Sequence, residues 1–178
     1  TKNDPVPPDM RRRLASNRHG KLTAGQWQEI VMEPVIALLV LLLPVAFILG
    51  PRLLFIVSWG VWLVPLVSVG ALGVVMFMRA RRYARLPVHF AVLRAAERRR
   101  PFWMFWRPEV FITEQGEKIQ FQRRLAPAVP VRSGHTYIVY YLRDTSRHDL
   151  LSLAPVDHAE AKYWQPSEAF HARQARRA

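Results

Sequence analysis

The chain has 178 residues, 26 Lys+Arg against 13 Asp+Glu, a net charge of +13 and no cysteine, which leaves room for one modest domain with additions. Without thiols there are no disulfides, no Cys-ligated zinc, no iron–sulfur cluster and no thiol catalysis. The charge points to nucleic acid, an anionic membrane face or an acidic partner. Arg supplies 22 of the 26 cations, and its planar fork suits oxyanions, although a base-composition bias toward Arg codons gives the same count.

Residues 1–22 read as a basic arm. Thr1–Met10 is polar and Pro-containing, and the following Arg-rich stretch, with Arg11, Arg12, Arg13 and Arg18, is placed to lie on anionic lipid headgroups, at about 1 kcal/mol per cation near such a surface. No cleavable signal peptide is readable. "TAGQ", Thr23–Gln26, fits a capping box, with Thr23 as N-cap and Gln26 reaching back. The helix it opens runs through Trp27, Ile30 and Val31, and Trp27 falls where an interfacial aromatic belt belongs. Glu29 and Glu33 follow at i, i+4 and read as interfacial hydrogen-bonding groups or Arg partners.

From Val35 to Met78 a run of 44 residues holds one charge, Arg52. A bilayer core about 30 Å thick takes about 20 apolar residues per helix, so the run divides into two spans. The break is Gly50–Pro51–Arg52, giving a transmembrane helical hairpin over 23–78 with spans at about 32–49 and 53–78. Pro34, Pro44 and Pro65 are tolerated in such helices. The alternative, burial of the whole run in a core of the protein's own, is disfavoured because the rest of the chain is too polar to supply that core. Cations flank the run on both sides and the turn has only Arg52. The positive-inside rule therefore predicts both termini in the cytoplasm, with a bacterial inner membrane as the location. Gly60, Ser68, Gly70 and Gly73 form a small-residue face suited to helix packing.

Residues 79–107 form a basic, aromatic juxtamembrane segment. Arg79, Arg81 and Arg82 open it, and Arg98, Arg99, Arg100 and Arg107 bracket Phe102, Trp103, Phe105 and Trp106. These residues are expected to meet the membrane interface or a partner. Stacking on nucleic acid is the less favoured use, because a neighbouring bilayer accounts for both features. Period-two patterning starts at residue 86. "VHFAVL", "EVFIT" and "IQFQ" alternate, the last two around Gly116, followed by strands at about 136–142 and 149–153. The prediction is a small antiparallel β domain of four to five strands over 86–156, barrel-like or half-open. The tail, 157–178, is basic, with a short helix after Ser167.

Two stretches together carry a resemblance: "NRHGKLTAGQ", Asn17–Gln26, and "SGHTYIVYYLRDTSRHDLLSL", Ser133–Leu153. They are similar to a group of small bacterial two-span membrane proteins of unassigned function, with an Asn-Arg-x-Gly-x-Leu-[Ser/Thr]-x-x-Gln start and a Gly-x-x-Tyr-x-Val-Tyr-Tyr end. The resemblance covers most of residues 17–156. It implies that architecture and carries no catalytic residues; the basic stretch at 94–107 departs from the pattern.

Reactive constellations are scarce. His148, Asp149, Asp157 and His158 lie within eleven residues, yet their spacing matches no zinc template, and a solvent-facing polar loop is the simpler reading. No G-x-S-x-G motif or Gly-rich phosphate loop occurs. The six histidines all lie outside the spans, which speaks against haem or pigment ligation there. The sequence therefore predicts a membrane α+β protein that is not an enzyme and takes no cofactor or metal. Its expected role is an accessory or scaffolding subunit of a larger membrane complex. Its expected partners are the bilayer, other membrane subunits and anionic headgroups, with nucleic acid not expected. A membrane-tethered module that binds anionic lipid or a soluble partner is the alternative.

Overall fold

The computed structural model describes residues 6–32, 35–36, 40, 60–96, 109–125, 130–144 and 147–176, and no side chain is described for residues 60–66. The chain divides into two units, one of residues 1–26 and 86–178, the other of Trp27–Arg85. The elements are α1 (Pro8–Asn17), a helix α2 starting at residue 24 and described to residue 32, α3 (Gly60–Arg85), β1 (Val88–Ala95), β2 (Glu109–Ile112), β3 (Lys118–Phe121), β4 (Arg123–Arg124), β5 (Thr136–Asp144), β6 (Arg147–Pro155), a 3-10 turn (Ala161–Trp164) and α4 (Glu168–Ala175).

The first unit is built on one six-stranded sheet ordered β3-β2-β1-β5-β6-β4, antiparallel except where β4 runs parallel to β6. The two ends of that order, β3 and β4, are separated in the chain by Gln122 alone. The sheet therefore curls back on itself, and Phe121 of β3 reaches the ring of His148 on β6 at 6.2 Å. The strands match the period-two segments of the sequence. β4 has no such pattern, because closure of the sheet places its two residues. The expected polar loop at 143–148 is instead the end of a hairpin, with Arg143 opposite His148 and Asp144 opposite Arg147.

Both faces of β5 are used, so "TYIVYYL" is apolar nearly throughout rather than alternating. On the inner face Phe111 meets Phe121 at 5.5 Å and Tyr137 at 6.2 Å, in edge-to-face geometry that favours aromatic pairs. On the outer face Tyr140 contacts Phe170 of α4 at 6.0 Å, and its hydroxyl donates to Trp164 O at 2.6 Å. Burial pushes the Tyr140 hydroxyl well above its ordinary pKa, against the opposing charge of Arg18.

Residues 8–17 were expected to be an extended or lipid-lying arm, and they form α1. Pro8 suits the first helical position and Asp9 sits in the first turn. Met10, Leu14 and Asn17 fall at i, i+4 and i+7, one stripe, and all three are fully buried. The stripe docks on β6, where Asn17 Nδ2 donates to Ser152 Oγ at 2.8 Å.

The pairing of β5 with β6 shifts register between Tyr140 and Tyr141: Ser152 lies opposite Tyr140, Leu150 opposite Tyr141, and Leu151 is the extra residue of a β-bulge. A bulge leaves backbone groups off the ladder. Here Gln26 Nε2 donates to Leu151 O at 3.0 Å. The same side chain completes the capping box, with Thr23 N–H donating to Gln26 Oε1 at 2.9 Å and Gln26 N–H to Thr23 Oγ1 at 3.3 Å. Ser167 stands at the N-cap of α4 but makes no capping bond there. Its hydroxyl donates to Arg18 O at 3.0 Å.

The expected transmembrane hairpin does not stand. Among the described residues no helix is long and apolar enough to cross a membrane. α3 carries Pro65, Ser68 and its glycines through its apolar part, then Arg79, Arg81, Arg82 and Arg85 in its last seven residues. Over the described part of the 44-residue run, local hydropathy therefore overstated the spanning length. The first expected span lies outside the described residues except at 32, 35–36 and 40, and the turn Gly50–Arg52 and residues 53–59 lie outside them entirely. The membrane α+β class, the transmembrane-helix assignment and the inner-membrane location are corrected accordingly; the described elements are α-helices beside a curled six-stranded sheet, in place of four to five strands.

Candidate functional site

Antiparallel register builds a cluster at the end of the curled sheet where β1 begins and the β5–β6 hairpin turns. His89 of β1 is the direct partner of Tyr141 on β5. Two residues on, Arg143 is the direct partner of His148 on β6. Alternation along the strands puts these four side chains on one face. His89 stacks on Tyr141 with ring centroids 5.4 Å apart, and Tyr141 meets His148 at 5.8 Å. Phe121 closes the floor at 5.6 Å from Tyr141.

The electrostatics follow from partial burial beside a cation. The pKa of His89 is lowered from 6.5, first by burial, then by Arg143 and by His148. That of His148 is lowered by burial and by Arg143, with Asp149 working in the opposite direction. Burial raises the Tyr141 phenol and Arg143 opposes the rise. Near neutral pH the cluster is two uncharged imidazoles, a neutral phenol and one fixed guanidinium. It brings hydrogen-bonding rings and a fixed cation to one face, a set able to receive an anion.

The residues singled out from sequence fall elsewhere. Arg98, Arg99, Arg100, Phe102, Trp103, Phe105, Trp106 and Arg107 lie outside the described residues. Trp27 is half-buried in α2 and Arg81 is exposed on α3. The Arg79 guanidinium donates from Nε to Ile30 O at 2.9 Å and lies 5.5 Å from the centre of the Tyr83 ring, so it satisfies a helix carbonyl within the second unit. Arg82 is exposed near the end of α3. Gly60 and Ser68 lie in α3, and a Cβ added at Gly70 or Gly73 would meet nothing within 4 Å, so neither glycine serves a close approach among the described residues.

His148 lies at the start of β6 and His158 follows its far end at Pro155; the strand between His148 and Pro155 alone spans about 23 Å at about 3.3 Å per residue, too far for a shared metal. His158 packs on Trp164 at 4.8 Å and its Nδ1 accepts the Glu160 N–H at 3.1 Å. Among the described residues no group of three or more His, Cys, Asp or Glu is placed to hold a metal ion. An open groove of about 550 Å³ along Val92, Arg94, Ile112, Glu114 and Thr136 gathers no such set of rings and charges.

The His89–Tyr141–Arg143–His148 cluster escaped sequence reasoning, which placed His89 and Tyr141 on separate strands and Arg143 and His148 in a polar loop. The available signal was alternation: Val88 and Phe90 on one face imply His89 on the other, whereas the pairing of Arg143 with His148 is a matter of strand register. No family, no curated protein and no solved structure matches the chain.

Proposed function

We propose that this chain is a non-catalytic accessory subunit, a basic β module that scaffolds or clamps within a larger protein assembly. The observation that carries the reading is the surface of α3. Val67, Val74, Phe77 and Met78, which helical spacing sets on one face of α3, are each 58–67% exposed. A run of large apolar side chains presented together marks a contact surface, whereas single exposed apolar residues are ordinary. The cation excess of the chain supports the same reading, since a basic face steers and orders docking onto an acidic neighbour.

The test is purification of the tagged full chain from its native source under mild conditions, with size-exclusion chromatography and native mass spectrometry. The expected result is a defined complex well above the 20.7 kDa of the chain. Substituting Val74 and Phe77 with Ser is expected to release the chain from that complex. A monodisperse 20.7 kDa monomer that captures no other subunit overturns the proposal.

A further inference from the structure

We propose that the mouth formed by His89, Tyr141, Arg143 and His148 is a proton-linked oxyanion site that takes a carboxylate or phosphate group between the guanidinium and the two imidazoles. This goes beyond the accessory-subunit reading and does not depend on it.

Geometry comes first. Four side chains from three strands face one way at one end of the sheet, with the ring contacts of 5.4 and 5.8 Å fixing both imidazoles against Tyr141. The phenol and Phe121 supply a low-polarity floor, in which a charge-assisted hydrogen bond is stronger than in open water.

The charges around the mouth are unbalanced in one direction. From β5 come Arg143 and Asp144, from β6 Arg147 and Asp149, and from β4 Arg123 and Arg124. Asp144 is the hairpin partner of Arg147. Asp149 is buried, with its Cα opposite that of Arg123, and alternation sets it on the face of β6 opposite to His148. Glu109 receives Arg124 NH1 at 2.6 Å. Glu109 is paired with Arg124, alternation sets Asp144 and Asp149 on the strand face opposite to Arg143 and His148, and Arg143 makes no ion pair among the described residues. Both imidazoles are held in their neutral form by burial and by that same cation. An arriving oxyanion cancels the repulsion from Arg143 and gives each imidazolium an acceptor. Binding therefore draws protons onto His89 and His148, and acid strengthens it.

The experiment uses the full chain with its histidine ring protons followed by NMR, and inorganic sulfate as probe, since the sulfate charge is constant across the window. Sulfate is expected to raise the titration midpoints of His89 and His148 together. Affinity is expected to tighten by about threefold to tenfold per pH unit between about pH 7 and about pH 5.5. Arg143→Gln, at an exposed position that no packing depends on, should weaken binding by about tenfold or more. A glutamate-rich peptide forms the second arm: tighter binding than sulfate assigns the site to an acidic protein segment, and equal or weaker binding assigns it to small oxyanions. Midpoints that shift equally with chloride at matched ionic strength, or binding retained by both Arg143→Gln and His148→Gln, overturn the proposal. Arg143→Gln should remain in the assembly formed through α3, so loss of anion binding and loss of assembly are read separately.

Discussion

Gln26 holds two structures at once, and its removal should show both. Its Oε1 closes the capping box with Thr23 and its Nε2 fills the carbonyl that the β6 bulge leaves at Leu151. Gln26→Ala loses the cap, worth about 1 kcal/mol. It also leaves a buried carbonyl without its donor, at about 1–3 kcal/mol. The sum is about 2–4 kcal/mol, or a fall in Tm of about 5–15 °C for a chain of this size. Thr23→Ala removes only the hydroxyl half of the box and should cost about 1 kcal/mol. Gln26→Glu separates the two roles. A carboxylate oxygen still accepts from Thr23 N–H, but the other oxygen now faces the Leu151 carbonyl with no proton between them. At neutral pH it should destabilise at least as much as Gln26→Ala, and it should recover in acid, where a protonated carboxyl can donate. Urea titration read by tryptophan fluorescence, with the buried Trp164 as reporter, gives the values. A loss below about 0.5 kcal/mol for Gln26→Ala, the level of ordinary surface substitutions, refutes the assignment of Gln26 as the clamp on the bulge.

Three further outcomes are expected. Ser152→Ala deprives the buried Asn17 amide of its acceptor, with Asn17 Oδ1 already lacking a partner among the described residues, and should cost about 1–3 kcal/mol by urea denaturation; substituting both residues with apolar ones should cost less than the two single changes added. Gly116 has φ +86° in the β2–β3 turn and open space around its missing Cβ, so Gly116→Ala should lose about 1–2 kcal/mol from backbone strain alone. Stability should fall with acid because His89 and His148 titrate below their ordinary 6.5 in the folded chain: as pH drops below that value the unfolded chain takes up protons that the folded one refuses, until the folded midpoints are passed. His89→Gln combined with His148→Gln should flatten the curve of unfolding free energy against pH in that window, and an unchanged curve contradicts the burial of these rings beside Arg143.

Much of the first unit is legible in its sequence, and the parts that are not have physical reasons. Strands β1, β2, β3 and β5 announce themselves by alternation or by β-branched and aromatic density, and Gly116 marks their turn. α1 is hidden because its apolar stripe is Met10, Leu14 and a buried polar Asn17 set among three arginines, so the run reads as a charged arm. β4 has no signal of its own, since closure of the sheet decides its place. The run from Val35 to Met78 misleads in the opposite sense: hydropathy reports what a segment would prefer and is silent on where a helix begins and how long it runs. The His89–Arg143–His148 mouth depends on register, which only the hairpin and the β1–β5 pairing fix.

Two stretches far apart in the chain, Asn17–Gln26 and Ser133–Leu153, gain a common explanation from their contacts. Asn17 bonds Ser152 across 135 residues of chain, and Gln26 bonds Leu151 across 125. Arg18 O receives both the backbone N–H and the hydroxyl of Ser167, and Gly20 supplies φ +69° against Arg173 of α4. A β-bulge needs outside donors and acceptors, and the N-terminal motif delivers them at the spacing the bulge sets. The polar residues of "NRHGKLTAGQ" are therefore committed to locking the start of the chain onto β6 and α4. Their contacts among the described residues are structural.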